Sequence, residues 1–352
     1  METPIDLLGL TCAGFIAATD LPPGRSGELR KAYAAAFREG RVPDGVGSTV
    51  PPLFEISLLG TVRVAEEPGP WGAAAKAVLE ARDGVRIECA LVPSPRSAAL
   101  CLSSQAGCRM GCAFCETGRG GLVRHLTAAE IVSQVVTARV SLGWSFDRLV
   151  FMGMGEPLDN FEALETALAV LLDPAGAAFA QERITVCTAG LPDGIRRLRT
   201  LGYRRLGLSF SLNAPDDATR AGLMPVTRAY PLDEVIAALA AYPMRRNFVL
   251  AVNYCLLPGL NDGPGAAAGV ARFVSRLGRA VVNVIPYNPG SVPITRAPTD
   301  DEVDAFMAAL RGEGLDARLR VPRGRSVMAA CGQLGGPAGD QSDACPVPVH
   351  HP

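Results

Sequence analysis

The chain has 352 residues, with 34 basic and 35 acidic side chains, and 48% of its residues are apolar. That length accommodates one large domain of roughly 200–250 residues plus a smaller module, and the apolar share supports a sizeable core. No apolar run reaches the roughly 18 residues needed to span a bilayer, no basic segment precedes the first apolar stretch, and the cysteines are too sparse for a disulfide scaffold; a soluble, cytoplasmic protein with no membrane contact is expected.

Residues 1–85 read as a small α+β accessory module, with a helix over Glu28–Arg38 and strands near Phe54–Val64 and Gly84–Val92. From residue 98 onward, short runs rich in Val, Leu and Ile predict strands over 98–103, 148–153, 183–187, 206–212, 248–256 and 280–286, each suited to burial on both faces. Helices are predicted over 128–140, 161–172, 192–201, 232–241, 265–277 and 300–311. Thr299 followed by Glu302 is the pattern of a capping box opening the last of them. Six such units imply a parallel sheet with right-handed crossovers, hence an α/β fold built as an open partial (β/α)6 barrel with a small N-terminal α+β accessory module. The barrel core is placed at 86–335. The Gly/Pro-rich stretch 336–352 reads as a disordered tail.

Cys108, Cys112 and Cys115 follow the first barrel strand closely, spaced C-x3-C-x2-C. Three thiolates on one loop can hold three irons of a [4Fe–4S] cubane and leave the fourth open to a ligand. A zinc site, or three unrelated buried thiols, is the alternative. Zinc favours four ligands in paired knuckles, and His125, His350 and His351 offer no fourth in that pairing. Gly153-Met-Gly155-Glu156-Pro157 ends the second strand. Taken alone it is a strand-exit turn; next to the cluster loop, its glycines would admit a ligand and Glu156 would take an ammonium group.

The cluster loop with Phe114 before its third cysteine resembles that of radical S-adenosylmethionine (SAM) enzymes, in which the open iron takes SAM. Leu100–Cys108, Arg124–Thr127 with Glu130–Val132, Gly153–Pro157, Ser211–Pro215, Asn261-Asp262, Ile285–Pro289 and Ala330–Leu334 together resemble the RlmN/Cfr family of radical SAM methyltransferases, in order from about residue 85 to 335. The resemblance implies methylation of carbon 2 or carbon 8 of an adenine in RNA, with one [4Fe–4S] cluster and two SAM molecules per turnover. Cys331 would be methylated by the first SAM. A radical from the second would take a hydrogen from that methyl group, and the resulting methylene radical would add to the adenine. Cys101 would resolve the protein–substrate adduct as a disulfide with Cys331, and Glu88 would accept the proton. Gly155 and Glu156 would hold the methionine end of SAM; Cys187, Ser211, Leu212 and Asn213 would line its pocket; and Asn288 would reach its adenine or carboxylate. The implied partners are ribosomal or transfer RNA and an external one-electron donor, and a monomer is expected. Cys12, Cys89, Cys255 and Cys345 match no family position and read as structural or incidental.

The chain departs from the family at several places. Cys187 stands where a serine is usual, Asn213 where a histidine is usual, and Arg325–Met328 replaces a commonly acidic stretch before Cys331. The N-terminal module is slightly acidic and poor in aromatics, although RNA affinity rests on neutralising phosphates. Arginines at 196–205 and 318–325 supply that charge or form solvated faces. The alternatives are the same chemistry on a free nucleoside or other small heteroaromatic substrate, or a cluster-binding regulator without methyl transfer.

Overall fold

In the computed structural model, which describes residues 4–19, 23–42 and 54–335, the strand–helix alternation read from hydrophobic patterning is present throughout the barrel. The chain starts with β1 (Ile5–Asp6), α1 (Cys12–Ala17), α2 (Ser26–Glu39) and β2 (Phe54–Glu55), which pairs in parallel with β1. Next, β3 (Gly60–Glu67), β4 (Ala74–Glu80) and β5 (Arg86–Ser94) form an antiparallel meander that turns into β6 (Ser97–Cys101). The ribbon of β7 (Gln105–Gly107) and β8 (Leu122–His125) encloses α3 (Glu116–Arg119). The repeat then runs α4 (Ala128–Val140), β9 (Arg148–Phe151), α5 (Phe161–Leu172), β10 (Ile184–Thr188), α6 (Pro192–Thr200), β11 (Gly207–Ser211), α7 (Asp217–Leu223), α8 (Leu232–Ala241), β12 (Leu250–Leu256), α9 (Ala266–Ser275), β13 (Ala280–Pro286), α10 (Asp300–Gly312) and β14 (Ala317–Leu319).

One ten-stranded sheet contains β6 and β9–β14 in parallel, in sequence order, with β5, β4 and β3 continuing it from β6. Its ends, β14 and β3, do not pair, so the barrel is open. Two strands escape the sequence reading. β14 spans three residues, too few to show a pattern, and β4 is an alanine-rich run interrupted by Lys76. The division expected after residue 85 falls between β4 and β5, which hydrogen-bond along six residue pairs. A single apolar core reaches from Leu7, Phe15, Tyr33 and Phe54 into Leu149, Val186 and Val252 of the barrel. The tail expected at 336–352 lies outside the described residues.

Local signals explain the helix ends. Thr299 Oγ1 accepts from Glu302 N at 3.3 Å while Glu302 Oε2 accepts from Thr299 N at 2.8 Å, completing the capping box read from sequence. Thr127 and Glu130 do the same for α4. Arg124 also donates to both Glu130 oxygens at 2.8 Å and to Asp83 at 2.7 and 2.9 Å, which clamps β8 and α4 to the turn between β4 and β5.

Candidate active site

The C-terminal ends of the parallel strands converge at one mouth of the barrel, the place where (β/α) folds carry their chemistry. The cluster loop leaves β7 there. Cys115 precedes α3, and the N–H groups of Thr117 and Gly118 point at its sulfur, partly offsetting the burial that raises the thiol. Burial pushes Cys108 up to about 12 and Cys112 well above its ordinary value, and the charges of Cys108, Cys112 and Cys115 act on one another across the loop. Three neighbouring thiols in a low-dielectric site would be thiolates only with cationic iron to neutralise them, so this donor set fits a cluster.

The Gly153–Pro157 turn packs inward. A Cβ on Gly153 would lie 2.6 Å from Leu102 O, and one on Gly155, at φ +97°, would lie 2.5 Å from Gln105 Cβ. The glycines thus admit the neighbouring chain segment at this turn. Glu156 is buried, and it accepts from Leu158 N at 3.1 Å and from Ala189 N at 2.7 Å. Burial nevertheless raises its pKa to about 7, against the pull of those hydrogen bonds. Gln105 continues the arrangement: it accepts from Glu156 N at 2.8 Å and donates to Asp159 at 2.7 Å, while Arg109 pairs with Asp159 at 2.8 Å.

Ser211 lies half-buried at the end of β11, whereas Leu212 is wholly buried in the core and offers a pocket only its backbone. Asn213 occupies the left-handed region at φ +57°. Its side chain accepts from Cys255 N at 2.8 Å and lies 3.2 Å from Met224 Sδ, so it shapes the turn. Cys187 hydrogen-bonds to Ser209, and a polar ladder continues across the barrel interior through Asn253 and Asn283 to Arg320, with distances of 2.7, 3.0 and 3.1 Å.

The loop carrying Cys331 closes the mouth. Gly332 O accepts from Glu116 N at 2.8 Å, Leu334 O accepts from Thr117 Oγ1 at 2.5 Å, and Gln333 donates to Pro289 O at 2.9 Å. Asn288 donates to Cys331 O at 3.1 Å and accepts from Arg325 at 2.6 Å, so its amide serves the Cys331 loop. Cys331 Sγ lies 3.8 Å from Met152 Sδ. Cys331 is exposed, yet the protein atoms around its thiol raise it by desolvation, with Arg320 working against that shift. Cys101, Cys187 and Cys255 feel the charge of Cys331, and Cys115 also acts on it. Cys255, read as incidental from sequence, therefore lies within electrostatic reach of Cys331 and Cys115. Cys12 and Cys89 are buried, and Cys345 lies outside the described residues.

Glu88 stands beside the end of the Cys331 loop. Lys76 Nζ pairs with it at 3.1 Å in an almost fully buried contact, and Gly335 N donates to its other oxygen at 2.8 Å. Sequence reasoning missed Lys76, Glu116, Arg220 and Arg320, because their role depends on strands or loops far apart in the chain. The arginine clusters divide. Arg196, Arg197 and Arg205 pair with Asp193, Glu162 and Glu182, and Arg204 bonds Met244 O. Arg320 and Arg325 instead reach the barrel mouth through Asn283 and Asn288, and Arg323 stacks 4.1 Å over Trp71.

Residues 102–267 match the Radical SAM superfamily. The chain is 41% identical to the dual-specificity RNA methyltransferase RlmN of Syntrophobacter fumaroxidans, over 88% of this chain and 92% of that one. The chain belongs to the RlmN family of radical SAM methyltransferases. A probable RNA methyltransferase of Sorangium cellulosum is 43% identical over 81% of this chain and 72% of its own length. The crystal structure of a radical SAM methyltransferase from Sphaerobacter thermophilus superposes with a TM-score of 0.84 at 34% identity, covering 94% of this chain and 99% of that one. As an RlmN-family member the chain is a transferase whose cofactors are a [4Fe–4S] cluster and SAM. No helix among the described residues is long and apolar enough to cross a membrane.

Proposed function

We propose that this protein methylates carbon 2 or carbon 8 of an adenine in RNA, using two SAM molecules per turnover and an external one-electron donor. The observation that carries the reading is that the Cys331 loop is hydrogen-bonded onto the residues just after Cys115, which brings Cys331 within electrostatic reach of both Cys115 and Cys101 from more than 200 residues away. When bound, the cluster and SAM supply the methyl group and the radical that activates it. Cys108, Cys112 and Cys115 hold the cluster. Glu156 takes the ammonium of SAM, with Gly155, Cys187, Ser211, Asn213 and the Leu212 backbone shaping the pocket. Asn288 holds the Cys331 loop over it.

Cys331 accepts the methyl group on sulfur and presents it to the adenine. Arg320 is the cation whose charge favours its thiolate, the nucleophilic form. Glu88, held by Lys76, takes the proton that leaves the adenine carbon. Cys101, as its thiolate, attacks the Cys331 sulfur; the sulfur–methylene bond breaks, its electron pair stays on the methylene carbon, which takes a proton to become the methyl group, and a Cys101–Cys331 disulfide remains. Arg320, Arg323 and Arg325 line the mouth as phosphate contacts, and residues 1–85 act as the module that completes this RNA-facing rim. A soluble monomer in the cytoplasm suits that role.

Anaerobic incubation of cluster-loaded enzyme with methyl-deuterated SAM and unmodified total RNA, followed by nucleoside mass spectrometry, tests the reading. A methyladenosine that retains two of its three methyl deuterons is expected. Untouched RNA alongside methylated Cys331 would overturn RNA as the acceptor. Cys331→Ala should abolish transfer, and Cys101→Ala should trap a covalent enzyme–RNA adduct on a denaturing gel.

A further inference from the structure

Arg220, on α7, is the largest side chain that the fold buries completely. Its guanidinium donates to Leu212 O at 2.9 Å, Ala189 O at 2.6 Å, Ser211 O at 3.0 Å and Thr227 Oγ1 at 2.6 Å, and it lies 5.2 Å from the centre of the Phe210 ring. All these partners are neutral. Burying an ion without a counter-ion costs several kcal/mol even after relaxation, and burial accordingly pushes the arginine down to about 10. The charges working against that shift are Cys112 first and Asp217 second. Asp217 is exposed and spends Oδ1 on Leu232 N at 2.8 Å.

The packing explains this proximity. Leu223 O, at the end of α7, accepts from Ala113 N of the cluster loop at 2.9 Å. Leu223 and Met224 share an apolar cluster with Cys108 and Met110, against which Cys112 and Phe114 pack. A cation is thus held behind the thiol loop, and its hydrogen bonds end on Thr227 and on the chain where it leaves β10 (Ala189) and β11 (Ser211 and Leu212).

We infer that Arg220 is a positioning residue whose fixed positive charge is the counter-charge of the Cys108–Cys112–Cys115 loop and makes the cluster held there easier to reduce. Reduction by an external one-electron donor adds one negative charge to that loop, and a buried cation nearby stabilises the added charge more than solvent would. Arginine suits the position: its planar fork satisfies four acceptors at once, whereas lysine offers three donors from one point. The inference rests on the assignment of these cysteines as cluster ligands.

The test is a redox titration of anaerobically reconstituted enzyme with dithionite and mediators, followed by electron paramagnetic resonance, on the wild type, Arg220→Gln and Arg220→Lys. Arg220→Gln is expected to be at least tenfold less reduced at the wild-type midpoint, a fall of about 59 mV for one electron. Arg220→Lys, which keeps the charge, should stay within half of that. An Arg220→Gln protein with a full cluster and an unchanged midpoint would overturn the inference. If Arg220→Gln does not fold, Arg220→Lys decides: a midpoint lowered as far despite the retained charge would overturn it. So would the loss of folding in both variants, which would assign the arginine to architecture alone. Iron and sulfide analysis of wild type and Cys112→Ala separates the two levels. Full cluster content in Cys112→Ala would sink the ligand assignment itself.

Discussion

At Glu156 the fold sets burial against hydrogen bonding, and burial prevails, raising the carboxyl to about 7. The folded protein then keeps this proton up to about pH 7, while the unfolded chain releases it near its ordinary value of 4.5. Between those values the native state binds more protons, so unfolding free energy falls as pH rises through the window and levels off above it. The size is on the order of 3 kcal/mol. Urea titrations of apo-protein should show this slope, and Glu156→Gln should flatten it. Binding of a SAM ammonium needs the ionised carboxylate, so SAM affinity should fall up to about tenfold per pH unit below 7 in wild type, measured by calorimetry. Cys331 poses the opposite demand: its thiol is raised by burial, and Arg320 works against that. Arg320→Met should slow methylation of Cys331, scored by intact-protein mass spectrometry, and should slow it less at higher pH. Asn213 shows why one departure from the family is tolerable. Its left-handed backbone is a conformation that Asn and His both adopt several times more readily than most residues.

At the scale of elements, the longer helices (α2, α4–α6 and α8–α10) and the barrel strands β6 and β9–β13 were legible because each carries its own period and its own stop signals, whereas the short α1, α3, α7 and β14 do not. Thr299→Ala, which removes one arm of an exposed capping box, should cost about 1 kcal/mol in urea denaturation and leave activity intact. The strand pairing of β4 with β5 was not legible, yet it brings Lys76 to Glu88. Val78 stands opposite Glu88 in this register, so Lys76, two residues away on the same face, reaches it diagonally. Lys76→Met would leave the carboxylate buried with only the Gly335 amide, and should destabilise the protein by about 3–5 kcal/mol. Comparison with the double variant Lys76→Met/Glu88→Gln checks this, since removing the charge from both partners should recover much of the loss.

Across the whole molecule, the N-terminal hairpin is joined to the Cys331 loop. Glu67, at the end of β3, accepts from Gly324 N at 2.8 Å, Ser326 N at 2.7 Å and Ser326 Oγ at 2.6 Å. Those hydrogen bonds hold its carboxyl below the usual carboxylate range, the Ser326 hydroxyl contributing most. Glu67 and Trp71 thus brace the segment where the family's acidic residues are replaced by Arg325–Met328. The same closure explains how a chain of near-zero net charge presents a basic rim: Arg196 and Arg197 of the outer helix α6 are paired, and the arginines after β14 are turned to the barrel mouth. Arg323→Gln and Arg325→Gln should each weaken RNA binding and reduce its salt slope by about 0.7 for each phosphate left unneutralised, whereas Arg196→Gln should leave the slope unchanged.

Patterns contained within a dozen residues were decided by the chain itself: the C-x3-C-x2-C loop, the capping boxes, the alternation that makes a parallel barrel. Local spacing sets local geometry through fixed rises and turns, and no distant partner is needed to read it. What needed the tertiary structure were the contacts that close over the sheet: Lys76 on Glu88, Arg220 behind Cys112, Arg320 toward Cys331, Cys255 near Cys331, and Glu67 under the Cys331 loop. In each case burial and charge depend on which segments the open barrel brings face to face, and desolvation acts on groups with no relation along the sequence.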